Sequence, residues 1–133
     1  RKGGEYSKPK PLQKALSMLT KEEMQAWWQP IWSDVKGAST RNGHPAPFPV
    51  PLAERLVRMF SFAGDTILDP FSGTCATAVA AYRAGRNSIS NEIDPVYYRI
   101  GLENIDAAVK DRSLFGSIQG RIVEDGQARK RNS

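Results

Sequence analysis

The chain has 133 residues, 40% of them hydrophobic, and a formal net charge of +5 at pH 7. This length suits one domain with a modest core, and no apolar run is long enough to suggest a membrane partner. A single cysteine excludes an internal disulfide and fits a reducing compartment, so a cytoplasmic location is expected, and the positive charge favours a polyanionic partner such as nucleic acid.

The N-terminal third is predicted to contain an arm, two short helices and a loop. Residues 1–11 are basic, broken by glycine and proline, and expected to be an exposed arm. A helical turn or two is predicted over 12–19. Residues 20–23, T-K-E-E, form a capping box that begins a second helix, and Pro30 is expected to end it. The proline-rich run 36–51 predicts a loop. The intervening Trp27, Trp28 and Trp32 are expected in the core rather than as a surface for stacking bases.

From residue 52 onwards, helices and strands are expected to alternate. The predicted elements are a helix over 52–60, a strand over 66–68, a helix over 76–84 capped by Gly85, a strand over 87–91 and a helix over 95–109. Asp94 followed by Pro95 is a typical helix start. The apolar residues at helical spacing are Leu52, Leu56, Met59 and Phe60 in one helix and Val96, Ile100 and Ala107 in the last. This order predicts an α/β fold in which parallel strands are flanked by helices.

Two acidic residues indicate where a ligand would bind. Asp69 and Glu92 each follow a predicted strand, and ligands of open α/β sheets bind at the carboxyl ends of the strands. Glu92 comes 23 positions after Asp69 (92 − 69), near the usual place for an acid that accepts hydrogen bonds from ribose hydroxyls. A tight structural turn, or another nucleotide-binding α/β unit, is the alternative interpretation.

The turn after Asp69 is poorly suited to phosphates. It contains only Gly73, whereas the dinucleotide motif G-x-G-x-x-G needs three glycines, and no phosphate-binding G-x-x-x-x-G-K-[ST] occurs. Asp69 would also repel a pyrophosphate. S-adenosylmethionine has no phosphate and carries an ammonium and a sulfonium cation, both of which a carboxylate attracts. These residues therefore favour S-adenosylmethionine and disfavour an NAD-binding domain.

Three sequence blocks carry a family resemblance. The run "DPFSGTCAT" (69–77) resembles the D-P-F-x-G-[ST]-G-[ST]-T cofactor motif of DNA amino-methyltransferases that act on adenine N6 or cytosine N4. The preceding "HPAPFPVPLAERLVRMFSFAGDTILDPF" (44–71) is similar to the family's H-P-x-x-x-P loop and L-x-E-R-[LI] helix, and "NEIDPVYY" (91–98) to its second acidic motif. This order resembles the circularly permuted β class. The resemblance implies part of a Rossmann-like, S-adenosylmethionine-dependent methyltransferase fold.

The resemblance also implies a role for each matched residue. Asp69 would bind the methionine amino group of the cofactor, and Glu92 the ribose hydroxyls, with Ile93 packing on adenine. The turn residues around the methionine and sulfonium would be Phe71, Ser72, Gly73 and Thr74. The loop that closes over the methionine tail would be formed by His44, Pro45 and Phe48.

Cys75 and the catalytic tetrapeptide depart from the family pattern. Cys75 stands where the family usually has glycine; it is expected to be a small packing residue that tightens the fit of the cofactor or shifts the start of the next helix. In the resembled family, a [DNS]-P-P-[YFW] motif holds and activates the flipped base. The chain contains no Pro-Pro and therefore lacks this motif. The catalytic residues are therefore unknown. With His44 as the single histidine and no Cys/His cluster, no metal site is expected.

The expected organisation has three parts. Residues 1–43 would be a basic arm and the end of a target-recognition or linker region, 44–118 the S-adenosylmethionine-binding α/β portion, and 119–133 a flexible charged tail. The expected function is the carboxyl-terminal cofactor-binding portion of a site-specific DNA amino-methyltransferase in a restriction-modification system. Its expected partners are double-stranded DNA and a missing amino-terminal catalytic segment or second chain, and a homo-oligomer stays open. The alternative is a non-catalytic DNA-binding or assembly subunit.

Overall fold

The computed structural model describes residues 8–37 and 48–113. The elements in these ranges are α1 (Pro11–Leu16), α2 (Lys21–Trp27), α3 (Val50–Phe60), β1 (Thr66–Asp69), α4 (Ala76–Arg83), β2 (Asn87–Ser90) and α5 (Pro95–Ser113). Most of the predicted arm and all of the predicted tail lie outside the described residues. No helix in the described part of the chain is both long and apolar enough to cross a membrane.

The two strands form a parallel pair joined by α4, as the sequence predicts. Thr66 is in register with Asn87, and Asp69 with Ser90. Because a parallel connection needs a crossover, α4 lies against one face of the sheet. The α/β class is confirmed, and the strands begin where they were predicted to begin.

The core between the helices is built from small side chains. On α4, Ala78, Val79, Ala80 and Ala81 are buried. This helix contacts α3 and α5, whose own buried residues include Ala53, Val57 and Ala108. Small side chains let helix axes approach closely, so the unit gains dispersion contacts from backbone proximity rather than from large residues. No large side chain among the described residues is fully buried.

The buried faces of α3 and α5 differ from those that apolar spacing indicates. On α3, Leu56 and Phe60 are exposed, Phe60 by 73%, while Ala53 and Val57 pack inwards. On α5, Val96 and Ala107 are exposed and Ile100 is half-buried. The buried positions are Gly101 and Ala108, which come one residue after Ile100 and Ala107. The hydrophobic pattern fails here because close approach to α4 selects small residues, which carry little hydrophobic signal.

The helix ends are mostly governed by the predicted caps. Thr20 Oγ1 accepts a hydrogen bond from Glu23 N (3.1 Å), and Glu23 Oε2 accepts one from Thr20 N (2.9 Å), which completes the capping box. Gly85 has the predicted positive φ of 74°. Helix α3 begins at Val50, two residues earlier than predicted, because Pro51 fits the first helical turn. Helix α5 continues to Ser113, beyond the predicted end at 109.

An arginine-tryptophan cluster fixes the N-terminal helices to α3. Arg58 donates to both carboxylate oxygens of Glu23 (2.5 and 2.9 Å), and Arg55 to both of Asp34 (3.2 and 2.6 Å). The Arg55 guanidinium lies 4.8 Å from the ring centroid of Trp32, and both arginines stack on Trp27. Bidentate ion pairs combined with cation–π contacts give this junction a defined geometry.

The tryptophan prediction is therefore met in part. Trp27 and Trp32 are partly buried in the cluster, where their rings pack against guanidinium groups rather than bases. Trp28 is exposed.

We expect the Glu23–Arg58 pair to make stability pH-dependent. Hydrogen bonding to Arg58 holds the pKa of Glu23 below its usual 4.5. A lowered folded-state pKa contributes stability that is present above the unfolded-state pKa and is lost as the pH falls through the folded-state pKa. The Glu23→Gln variant should be less stable than the parent chain near pH 7, and this gap should shrink in urea titrations below about pH 4.5.

Glu22→Gln, at an exposed position in the same helical turn, is the matched control and should show a smaller gap. A gap for Glu23→Gln that keeps its full size at about pH 3 would contradict this role of the ion pair.

Candidate functional site

The candidate site lies at the carboxyl ends of β1 and β2. Asp69 is the last residue of β1, and Glu92 follows the last residue of β2 by two positions. The loops after the two strands are joined directly, because Ser72 donates to the Asn91 carbonyl through its N–H (3.0 Å) and its hydroxyl (3.1 Å). Both acids therefore sit at one edge of the sheet, as parallel strands require.

The turn from Asp69 to Cys75 has a tightly specified backbone. Asp69 Oδ1 accepts a hydrogen bond from Phe71 N (3.1 Å), and Cys75 N donates to the Ser72 carbonyl (2.8 Å). Gly73 has a φ of 52° and Cys75 a φ of 63°, both in the left-handed region. A left-handed conformation costs a non-glycine residue about 1–2 kcal/mol, so Cys75 carries strain at the position where the resembled motif has glycine.

Glu92 is anchored by two backbone donors. Its Oε2 accepts a hydrogen bond from Gly73 N (2.7 Å), and its Oε1 accepts one from Asp94 N (2.9 Å). Asp94 in turn caps α5 by accepting from Val96 N (2.7 Å). A carboxylate offers about four acceptor positions, so two stay available to a ligand. Glu92 thus joins the turn to the start of α5 and keeps acceptor capacity.

A cavity of about 300 Å³ opens beside Asp69 and the turn. Its lining includes six of the predicted cofactor residues and two residues of α4. The eight are Phe48, Asp69, Phe71, Ser72, Gly73, Thr74, Ala76 and Thr77. A second cavity of about 480 Å³ adjoins it between α3, α4 and α5 and shares Phe48, Thr74 and Ala76 with it.

The remaining predicted site residues have different positions. Glu92 and Ile93 do not line the 300 Å³ cavity, and Ile93 is 95% exposed. Phe71, which does line it, is also 89% exposed. These two apolar side chains flank the acidic edge and are available to a bound molecule. His44 and Pro45 lie outside the described residues.

Among the described residues, the two acids of the site have no ion-pair partner. Neither Asp69 nor Glu92 forms an ion pair with a lysine, arginine or histidine within residues 8–37 and 48–113. Burial raises the pKa of the nearby Cys75 thiol; a hydrogen bond with Ser72 opposes this rise, and the charges of Asp69 and Glu92 add to it. No cluster of potential metal ligands occurs in the described part of the chain.

Two residues that contact the turn lie outside the sequence motifs. Asn104 Nδ2 donates to the Thr74 carbonyl (2.9 Å), and Gly101 packs against Cys75. Both lie on α5, well beyond the turn in sequence, and only knowledge of which face of α5 is buried could have found them. The prediction that Cys75 packs inside the protein is confirmed by its burial.

Comparison with known proteins finds similarity over most of the chain. A family model described as DNA methylase matches residues 2–103. The Type II methyltransferase M.MthZI of Methanothermobacter thermautotrophicus is 46% identical over 110 residues, which are 78% of this chain and 30% of that protein. M.MjaI of Methanocaldococcus jannaschii, another Type II methyltransferase, is 46% identical over 93 residues, covering 65% of this chain and 30% of its own length.

A solved structure shares the fold. TTHA0409 of Thermus thermophilus, a candidate DNA modification methylase crystallised with S-adenosyl-L-methionine, matches with a TM-score of 0.68 and 43% identity. The match covers 82% of this chain and 41% of that one. The predicted Rossmann-like methyltransferase fold, present in part, is confirmed. The chain spans under a third of these two curated relatives and about two fifths of the solved structure.

The burial of Cys75 leads to a chemical prediction. Only the thiolate attacks disulfide reagents, and burial with a raised pKa keeps this thiol protonated. In the folded chain near pH 8, Cys75 should react with an aromatic disulfide reagent at least about tenfold more slowly than in denaturant. The chain has one cysteine, so absorbance of the released thiol reports on Cys75 alone. Equal rates in the two states would contradict the packing described here.

Proposed function

The chain belongs to the N6/N4 DNA methylase family, and we propose that it forms the S-adenosylmethionine-binding portion of a DNA methyltransferase that modifies adenine N6 or cytosine N4. The observation that carries this proposal is the position of the Asp69 carboxylate, which lines a cavity beside a turn that lacks the glycines of phosphate-binding motifs. Among the described residues, no cationic side chain forms an ion pair with it. TTHA0409, whose match covers 82% of this chain, was crystallised with this cofactor.

The donors and acceptors present fit the two polar ends of the cofactor. Asp69 would hold the methionine ammonium by a charge-assisted hydrogen bond, and the two unused acceptor positions of Glu92 would take the ribose hydroxyls. The cavity would take the methionine end. Glu92 and Ile93 lie outside the cavity lining, where the nucleoside would extend. Ile93 would pack on adenine.

Other predicted residues would complete the cofactor site. Ser72, Gly73 and Thr74 would shape the turn around the methionine, together with Phe71. Phe48, two residues before α3, would contact the methionine side of the cavity. His44 and Pro45 are proposed from the family resemblance alone.

This chain would bind and orient the cofactor, and a different polypeptide segment would activate the base. The bound cofactor supplies an electrophilic methyl group on its sulfonium, which the Asp69 charge would help to place near the turn. The chain has no Pro-Pro-aromatic tetrapeptide to receive a flipped base, so no residue is assigned a catalytic role. We propose that a polypeptide segment carrying this tetrapeptide, in the same protein or in a second chain, completes the enzyme.

The sheet has a surface on which a completing segment could pack. Leu68 and Ile89 are adjacent in register and 67% and 59% exposed, respectively. Parallel sheets are normally covered on both faces, and this one is covered by α4 on one face only among the described elements. An exposed parallel pair of strands supports a larger sheet in the complete enzyme.

The partners and setting follow from the same proposal. The net charge of +5 supports binding to double-stranded DNA. The Type II names of the relatives support a place in a restriction-modification system, and the single cysteine supports the cytoplasm. The second candidate, a non-catalytic DNA-binding or assembly subunit, is favoured by the same charge and the missing tetrapeptide. It predicts salt-dependent DNA binding without affinity for the cofactor.

Asp69→Asn tests the cofactor site. Removing the charge should weaken S-adenosylmethionine binding by about 10- to 100-fold in calorimetric titrations, because hydrogen bonds to charged groups contribute about 1.5–3 kcal/mol. Asp106→Asn removes the same charge at an exposed position that pairs with Lys110 in the same helix (2.7 Å), and should leave binding unchanged. Equal affinity of the parent chain and Asp69→Asn would refute the assignment.

Methyl-transfer assays test whether the chain is complete. The 133-residue chain should bind S-adenosylmethionine yet transfer no labelled methyl group to duplex DNA. Adding the catalytic portion of a relative that contains the Pro-Pro-aromatic tetrapeptide should restore transfer. Transfer by the chain alone would show that its own residues activate the base and would overturn this division of labour.

A further inference from the structure

We infer that helix α5 positions the cofactor turn, and that Asn104 is the residue that holds Thr74 at the cavity wall. This inference rests on the proposed cofactor site, and it assigns a role to residues outside the sequence motifs that indicated that site. It makes the affinity for the cofactor depend on a helix whose central residues do not line the cavity beside Asp69.

Helix α5 meets the turn at three points along one side. At its start, Glu92 connects Gly73 N to Asp94 N, and Asp94 caps the helix. Gly101 lies about two turns further along and Asn104 about one turn beyond it. Positions separated by three or four residues share a helix face, so Gly101 and Asn104 approach the turn together.

Asn104 donates a hydrogen bond to the Thr74 carbonyl, which comes just before the backbone hydrogen bonds of α4. The first ladder bond at the start of α4 runs from Val79 N to the Cys75 carbonyl (3.0 Å), and the Thr74 carbonyl precedes this ladder. Asn104 Nδ2 donates to that carbonyl at 2.9 Å. Thr74 lines both cavities, so the orientation of its peptide group affects the wall that the proposed ligand would touch.

Gly101 allows the helix to come close enough for this bond. A Cβ atom at position 101 would lie 2.6 Å from Cys75 Sγ, 3.3 Å from Cys75 Cβ and 3.5 Å from the Gly73 carbonyl oxygen. The first distance is shorter than real contacts permit, so a side chain at position 101 would require the Cys75 thiol or α5 to move. The Cys75 thiol thus occupies the space that the absent side chain of Gly101 leaves.

Asn104→Ala tests the hydrogen bond directly. Its loss should weaken S-adenosylmethionine binding about three- to tenfold, as expected for one neutral hydrogen bond. The bond is exposed, so the melting temperature without ligand should stay close to that of the parent chain. The neighbouring exposed Glu103→Ala is the control and should bind normally. A purely structural role would lower the melting temperature and leave the affinity of the folded protein intact, and that result would overturn the inference.

A pair of compensating substitutions tests the close contact between Gly101 and Cys75. Gly101→Ala should weaken cofactor binding because its methyl group meets the thiol. Cys75→Gly added to Gly101→Ala removes that clash and relieves the left-handed backbone at position 75, so the double variant should recover most of the lost affinity. A double variant that binds no better than Gly101→Ala would contradict the contact between α5 and the turn.

Amide hydrogen exchange without ligand separates this inference from the proposed function. Gly73 N–H is bonded to Glu92 and Cys75 N–H to Ser72, so both report on the order of the turn. In Asn104→Ala these two amides should exchange faster than in the parent chain, whereas the amides of α4 should be unchanged. If the parent chain fails to bind S-adenosylmethionine, the proposed function falls, and faster exchange still supports positioning. Unchanged exchange would overturn the positioning role, whatever the chain binds.

Discussion

The parallel register between β1 and β2 is the constraint on which the site depends. Pairing Thr66 with Asn87 brings Asp69 opposite Ser90 and leaves Glu92 just beyond the same edge. A shift of one residue would turn the side chain of Asp69 to the other face of the sheet. The site is therefore a product of sheet geometry, and the local motif around Asp69 supplies the turn but cannot by itself bring the second acid near.

Bringing two carboxylates to one edge has an electrostatic cost that backbone donors offset. Asp69 accepts from Phe71 N, and Glu92 accepts from the N–H groups of Gly73 and Asp94. These bonds satisfy the acids without neutralising them, since a neutral N–H leaves the charge in place. An arginine or lysine side chain in place of these backbone donors would form hydrogen bonds with the carboxylates and also neutralise their charge. Among the described residues this arrangement leaves the two charges in place, which supports the proposal of a cationic ligand without phosphates over a dinucleotide.

The sequence predicted the parts of the fold that strong local signals encode. The capping box at Thr20, the positive φ at Gly85 and the start of α5 at Pro95 follow from chemistry that acts within a few residues. The orientation of α5 was predicted wrongly, because its packed face is formed by Gly101 and Ala108 rather than by the more apolar Val96. The contact of Asn104 with Thr74 spans 30 residues and depends on that orientation, so it could not be predicted either.

Cys75 shows why a departure from a motif is informative only with its surroundings. In the sequence it is a glycine replaced by a larger residue, and the expected consequence is a tighter fit or a displaced helix. In the structure the residue keeps the left-handed conformation that favours glycine, and its added volume is directed towards Gly101. The strain of about 1–2 kcal/mol is thus retained, and the thiol fills space between α5 and the turn. Gly101 on α5 leaves room for the Cys75 side chain, so the residues at positions 75 and 101 pack as a pair.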